Sequence, residues 1–274
     1  MSELSVRIVS AIVLLIGGLA ALALNLQSRW LLMTAVLSIG AWELSRLAGR
    51  KLVSPYAPWL PGLAVAALCL VQLPGWTGPM DWEWMVAVVA LSALIAIAYA
   101  KIGITVVAPW IAINAFIIAY LGLWGGTLFD LTLPETGMAG IAPFVFTLAC
   151  IAAADSGAYF AGRAFGKRKL APELSSGKTR EGAVGGLVAS LLVASVLSGY
   201  AHLSLPAALL LGAVFAVASV AGDLFISAFK RWALAKDTSH IIPGHGGVMD
   251  RFDALVFAAP FAWLGFKLFA ENGF

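Results

Sequence analysis

The sequence predicts an all-α polytopic membrane protein with about nine transmembrane helices. Of its 274 residues, 61% are hydrophobic and 11% charged, where a soluble globular domain carries about 25% charged residues; mean hydropathy is +0.95. The apolar residues form unbroken runs near the roughly 20 residues that a helix needs to cross a bilayer. They do not alternate at period two, as the strands of a membrane β-barrel would. The cationic residues also sort onto one side of the chain once those runs are taken as spans.

The expected spans lie at roughly 7–25, 30–48, 56–73, 84–100, 104–124, 140–162, 183–201, 206–228 and 254–270, each near the length of a membrane helix. Arg7, the following apolar run and the small residues Ala21-Leu22-Ala23 look like a signal peptide. The run is long for one, and many further spans follow, so it is read as the first span. Pro109 and Asn114 interrupt the fifth. Cys69 and Cys150 both fall within spans, and their spacing gives neither a disulfide framework nor a metal site. No internal repeat or soluble linker is evident. The whole chain, 1–274, is therefore expected to be one integral membrane domain, with N-terminal spans in 1–135 and catalytic spans and loops in 140–274.

With nine spans, one face collects Arg7, Arg46, Arg50, Lys51, Lys101, Arg163, Lys167, Arg168, Lys169, Lys178, Arg180, Lys230, Arg231, Lys236 and Arg251, and the other only Arg29 and Lys267, a partition of 15 to 2. Lys and Arg accumulate on the cytoplasmic side of membrane proteins. The N-terminus and the basic loops are thus expected in the cytoplasm and the C-terminus on the far side, in a bacterial inner membrane. Asp81, Glu83, Asp130 and Glu135 fall on the far face, with Trp76, Trp82, Trp84 and Trp124 nearby as an interfacial belt.

Three polar segments stand out against this background. In the first, Asp155 lies well inside a span, with Tyr159 one helical turn on and Arg163 two. That row is either a polar patch joining helices or the wall of a site; an ionisable residue inside a membrane favours the second. The second is Ser175-Ser176-Gly177-Lys178-Thr179-Arg180-Glu181-Gly182. It resembles the end of a P-loop, but Pro172 stands where that loop needs glycine. Ser, Gly, Lys and Thr still suit phosphate, and Thr179 or Ser176 could cap the next helix.

The third runs from Asp223 to Asp253 and holds four carboxylates, four basic side chains, two histidines and three glycines. Carboxylates hold divalent cations, cations hold phosphates, and glycines let backbone N–H groups approach anions. Ser227 and Lys230 follow Asp223 at i+4 and i+7, on one helix face; Asp250 and Asp253 share a face if helical. Pro243-Gly244-His245-Gly246-Gly247 must be a tight turn. His240 and His245 lack cysteine partners and the His-Glu-x-x-His spacing, so no zinc site is expected.

This third segment resembles the signature of CDP-diacylglycerol synthase (phosphatidate cytidylyltransferase), which reads Ser-x-x-Lys-Arg, four residues, Lys-Asp, then Pro-Gly-His-Gly-Gly-x-x-Asp-Arg-x-Asp. Here Ser227, Lys230, Arg231, Lys236, Asp237, Pro243 to Gly247, Asp250, Arg251 and Asp253 meet it. The first two segments resemble further blocks of that family, so the likeness covers about the C-terminal half of the chain; the other half offers its spans and Trp42-Glu43. The family pattern has Pro at Ser176, Glu at Ile226, Gly at Ser239 and Ser at Ala254. The resemblance implies transfer of a cytidylyl group from CTP to phosphatidate, with release of pyrophosphate. It implies Asp223, Asp250, Lys230 and Lys178 as catalytic residues, and Asp223, Asp250, Asp253 and Asp155 as ligands of Mg²⁺ (or Mn²⁺), with room for a second cation. Ser175, Thr179, Arg163, Arg231, Lys236, Gly244, His245, Gly246, Gly247 and Arg251 would bind substrate. The expected partners are CTP, phosphatidate, membrane lipid and a second copy of the chain in a homodimer, and no nucleic acid. Two other functions remain open: a related CTP-dependent enzyme acting on another lipid, and an ion-coupled transporter using Asp155 and Asp223 as a relay.

Overall fold

The computed structural model describes residues 17–18, 20, 22–52, 58–71, 104–132, 141–244 and 246–271. The described residues are overwhelmingly helical: α1 (Leu26–Lys51), α2 (Leu60–Val71), α3 (Ile104–Ile118, continued by a π-helical turn at Ala119–Trp124), α4 (Thr127–Asp130), α5 (Ala142–Phe165), α6 (Arg180–Leu197), α7 (Leu205–Trp232) and α8 (Met249–Glu271). A short hairpin, β1 (Lys169–Ala171) with β2 (Ser175–Thr179), joins α5 to α6.

Six helical stretches among the described residues are long and apolar enough to cross a membrane: Leu26–Lys51, Ala108–Asp130, Ala142–Phe165, Arg180–Leu197, Leu205–Trp232 and Met249–Phe269. They coincide with six of the expected spans. Expected span 56–73 meets the shorter α2 of 12 residues. Span 84–100 lies wholly outside the described residues, and span 7–25 mostly does. The chain is thus an all-α membrane protein. Composition placed the end of the eighth span at 228, whereas α7 continues to Trp232; Lys230 and Arg231 end the apolar run without ending the helix.

The chain separates into two compact units, Met1–Phe129 with Lys230–Phe252, and Asp130–Phe229 with Asp253–Phe274. In the first, α1 begins at a capping box. Asn25 Oδ1 accepts from Ser28 N at 2.8 Å and Asn25 N donates to Ser28 Oγ at 3.1 Å, which satisfies donors that the helix itself cannot. Arg50 and Lys51 close its last turn, where cations suit the carbonyl end of the dipole. α2 packs against α1 and against the π turn, where a Cβ on Gly122 would sit 2.6 Å from Leu68 Cδ1. Ala64, Leu68 and Ile118 form an apolar cluster there, and Trp30 Nε1 donates to Cys69 O at 2.8 Å. Both cysteines are free and buried, as their positions in spans predict.

In the second unit, α5 and α6 lie backbone to backbone. A Cβ on Gly185 would come within 2.2 Å of Ala161 Cβ, and one on Gly157 within 2.5 Å of Ala189 Cβ. Small residues give membrane helices this close approach, where dispersion and not water drives packing. Phe146 meets Phe215 and Phe266 edge-on, with centroids 6.2 and 5.8 Å apart. Ser190 Oγ satisfies itself on Gly212 O at 2.8 Å.

Candidate active site

The hairpin positions the second polar segment. Lys169 pairs with Thr179 and Ala171 with Ser175, and Arg180 N donates to Arg168 O at 2.9 Å. Thr179 ends β2 and caps α6, accepting from Gly182 N at 3.1 Å; this is the cap that its hydroxyl predicts. Glu181 accepts from Lys167 N at 3.1 Å and Arg168 N at 3.2 Å, tying the hairpin's entry to the helix start. The sequence left this segment as a loop. Its strands of three and five residues show no alternating apolar pattern, so pairing alone reveals them.

From β2, Lys178 reaches α7 and forms a half-buried ion pair with Asp223 Oδ2. One turn earlier on α7, Ser219 Oγ donates to Asp155 Oδ1 of α5 at 2.5 Å. Lys178 and Asp223 lie close enough to act electrostatically on Asp155. The second unit thus gathers two carboxylates, one ammonium and one hydroxyl from three elements. Among the described residues none donates a hydrogen bond to Asp223 Oδ1. On the same helix as Asp155, Arg163 Nη1 donates to Tyr159 Oη at 3.2 Å, the neighbour expected at i−4. Ile226, where the resembling pattern has a carboxylate, is fully buried.

The first unit holds a second arrangement. Lys230 Nζ donates to Asp250 Oδ1 at 2.7 Å, with both side chains largely shielded. Asp250 Oδ2 accepts from Thr238 N at 2.8 Å, from Gly247 N at 3.0 Å and lies 3.0 Å from Thr238 Oγ1. The Pro243–Gly247 segment turns as expected: Ile242 N donates to Gly246 O at 2.9 Å, and Gly244 and Gly246 take φ of 74° and 84°, a region that glycine enters without steric cost. Gly247's N–H is committed to Asp250. Arg231 Nη1 donates to Ala235 O at 3.3 Å. Lys236, Gly244 and Arg251 are exposed, and His245 lies outside the described residues. Asp250 sits in the first turn of α8, and Asp253 follows three residues on. Asp253 is buried, and its Oδ1 accepts from Ala254 N at 2.9 Å.

Sequence reasoning noted Glu43 beside Trp42 and Ser239 as a departure from the family pattern but gave neither a role, and it missed Thr238. Glu43 is fully buried on α1 and accepts hydrogen bonds from both hydroxyls and from two backbone N–H groups of the 238–249 segment. A signal existed: Glu43 is a carboxylate within an expected span, the rule that singled out Asp155.

The carboxylates supply hard oxygen donors of the kind Mg²⁺ takes, and Asp223 keeps one oxygen open, so the residues fit such an ion. Among the described residues no three His, Cys, Asp or Glu side chains converge on one point.

The model of the family described as "Cytidylyltransferase family" matches residues 5–269. The chain is 38% identical over 265 residues to a phosphatidate cytidylyltransferase of Pseudomonas aeruginosa, covering 93% of each chain. It is 32% identical over 266 residues to one of Staphylococcus haemolyticus, covering 94% of this chain and 96% of that one. A third, from Haemophilus influenzae, is 48% identical over 124 residues, or 43% of this chain and 42% of its own. With its family match running almost from end to end, and relatives this similar over nearly their whole length, the chain belongs to the cytidylyltransferase family.

Proposed function

We propose that this chain is a phosphatidate cytidylyltransferase: CTP and phosphatidate give CDP-diacylglycerol and pyrophosphate. A phosphate oxygen of the lipid attacks the α-phosphorus of CTP; the bond from that phosphorus to the bridging oxygen breaks, and pyrophosphate leaves. Transfers of this class need positioning and charge neutralisation more than proton transfer. The observation that carries the assignment is the pairing of two candidate carboxylates with lysines, Lys178 with Asp223 and Lys230 with Asp250, in a chain of this family. Each lysine is a phosphate-binding cation held ready by an anion, and each carboxylate is a cation ligand held ready by an ammonium.

Lys178, Lys230, Arg231 and Arg251 would meet phosphate oxygens, with Arg163, Lys236, Ser175 and the Pro243–Gly247 turn contributing to substrate binding. Asp223 and Asp250 would hold Mg²⁺ or Mn²⁺, with Asp253 and Asp155 as further ligands. When bound, the ion supplies charge neutralisation to the triphosphate and to the departing pyrophosphate. The charge partition supports nine spans in a bacterial inner membrane, with the N-terminus and the basic loops in the cytoplasm. CTP is soluble and phosphatidate lies in the leaflet, so a charged site at that boundary can meet both.

The decisive experiment supplies purified full-length protein with radiolabelled CTP and phosphatidate in mixed micelles. Label from the cytosine ring should enter the lipid phase and label from the γ-phosphate should leave as pyrophosphate. Ring label that stays aqueous in an otherwise folded preparation would overturn the assignment.

A further inference from the structure

Glu43 stands in the second half of α1 with none of its surface exposed. A buried carboxylate in an apolar helix is costly unless its oxygens are fully hydrogen-bonded. Here they are. Oε1 accepts from Ser239 Oγ at 2.5 Å and Val248 N at 2.9 Å; Oε2 accepts from Thr238 Oγ1 at 2.9 Å and Met249 N at 2.8 Å. The nearest cation along the helix, Arg46, instead lies over the Trp42 ring at 5.2 Å.

The four donors flank the Pro243–Gly247 turn on both sides, so one side chain clamps the turn at its entry and its exit. Val248 and Met249 open α8, and the first N–H groups of a helix have no acceptor within it; Glu43 supplies one from another helix. Thr238 Oγ1 lies between Glu43 and Asp250, 3.0 Å from Asp250 Oδ2, so the clamp continues directly into that carboxylate. The backbone is fitted to it: a Cβ on Gly247 would lie 2.0 Å from Thr238 Oγ1 and 2.6 and 2.7 Å from the two Glu43 oxygens. Ser239, where the resembling pattern has glycine, adds a donor.

We propose that Glu43 is a positioning residue for cytidylyl transfer, fixing the Pro243–Gly247 turn and Asp250 in the geometry the reaction uses. This rests on the proposed role of that turn and of Asp250. Glutamine has Glu43's shape but a single acceptor oxygen. The hydroxyls of Thr238 and Ser239 can rotate to accept from the amide, but Val248 N and Met249 N cannot. They sit on different oxygens, so either orientation of the amide strands one of them.

The test uses purified full-length protein in phospholipid–detergent micelles. Glu43→Gln should lower kcat at least about tenfold, the size of a lost hydrogen bond to a charged group, with KM for phosphatidate changed less than about twofold. Trypsin cleavage after the exposed Lys236 should speed up by a similar factor, since cleavage needs the local opening that the clamp prevents. Ser239→Ala removes one donor and keeps the rest. It should lower kcat and speed cleavage in the wild-type background and do so by less in the Glu43→Gln background, because the two substitutions act on one shared contact. Wild-type kcat and cleavage rates in Glu43→Gln overturn the proposal. If that variant does not fold, unchanged kcat and cleavage in Ser239→Ala overturn it as well. Activity loss that only tracks loss of folded protein, with the folded fraction cut at the wild-type rate, reduces Glu43 to a structural residue. A wild-type protein that transfers nothing from CTP would defeat the assigned reaction, while the cleavage rates would still decide whether Glu43 holds the turn.

Discussion

Lys178 and Asp223 answer each other across 45 positions of sequence, so removing either leaves an uncompensated charge in a half-buried site. Lys178→Ala is expected to lower kcat/KM at least about tenfold, the cost of one charge-assisted contact to phosphate, and to leave the protein folded. Asp223→Asn and Asp250→Asn keep shape and lose charge, so each should nearly abolish turnover with similar expression and melting. The wild type should fall silent in EDTA and recover with Mg²⁺ or Mn²⁺. Full turnover in EDTA, or in either Asn variant, would remove the ion from the mechanism. These residues were legible because charge in an apolar chain is conspicuous. Glu43 is equally charged, yet the sequence offered only its place beside Trp42 and no role for it, because its partners lie about two hundred positions away.

Among the elements, the apolar runs gave the helices, and their ends were decided by other physics. α7 outlasts its apolar stretch through Lys230 and Arg231, α3 passes through Pro109 and then loosens into a π turn, and the β1–β2 hairpin has no pattern to announce it. The tight seam between α5 and α6 depends on glycines that meet alanines at 2.2 and 2.5 Å from an added Cβ. Gly185→Ala should therefore destabilise the protein by about 1–3 kcal/mol, the usual cost of overpacking, read as a lower melting temperature in detergent. An unchanged melting temperature would mean that the two helices do not approach as closely as the structure has them.

For the molecule as a whole, the expected nine-span topology makes a test that no single residue can. In separate variants on the native background, where Cys69 and Cys150 are buried, cysteines replacing Lys169 and Lys236 should react with an impermeant thiol reagent only from the cytoplasmic side. One replacing Glu135, which lies outside the described residues, should react only from the other. Labelling of positions 169 and 135 from the same side would overturn the nine-span arrangement.

The sequence by itself determined the solvent, the class and the chemistry. Burying a chain that is 61% hydrophobic and 11% charged requires a bilayer, backbone polarity in a bilayer requires helices, and the few charges that remain must be held where they act. It also singled out the lysines and carboxylates proposed to act, because their spacing on helices is fixed by the chain. Only the tertiary structure decided which of them meet. Lys178 takes Asp223 and Lys230 takes Asp250, and Glu43 closes the turn that precedes α8. A hydrogen bond of about 3 Å depends on where two distant helices place their side chains, and no local pattern of residues encodes that distance.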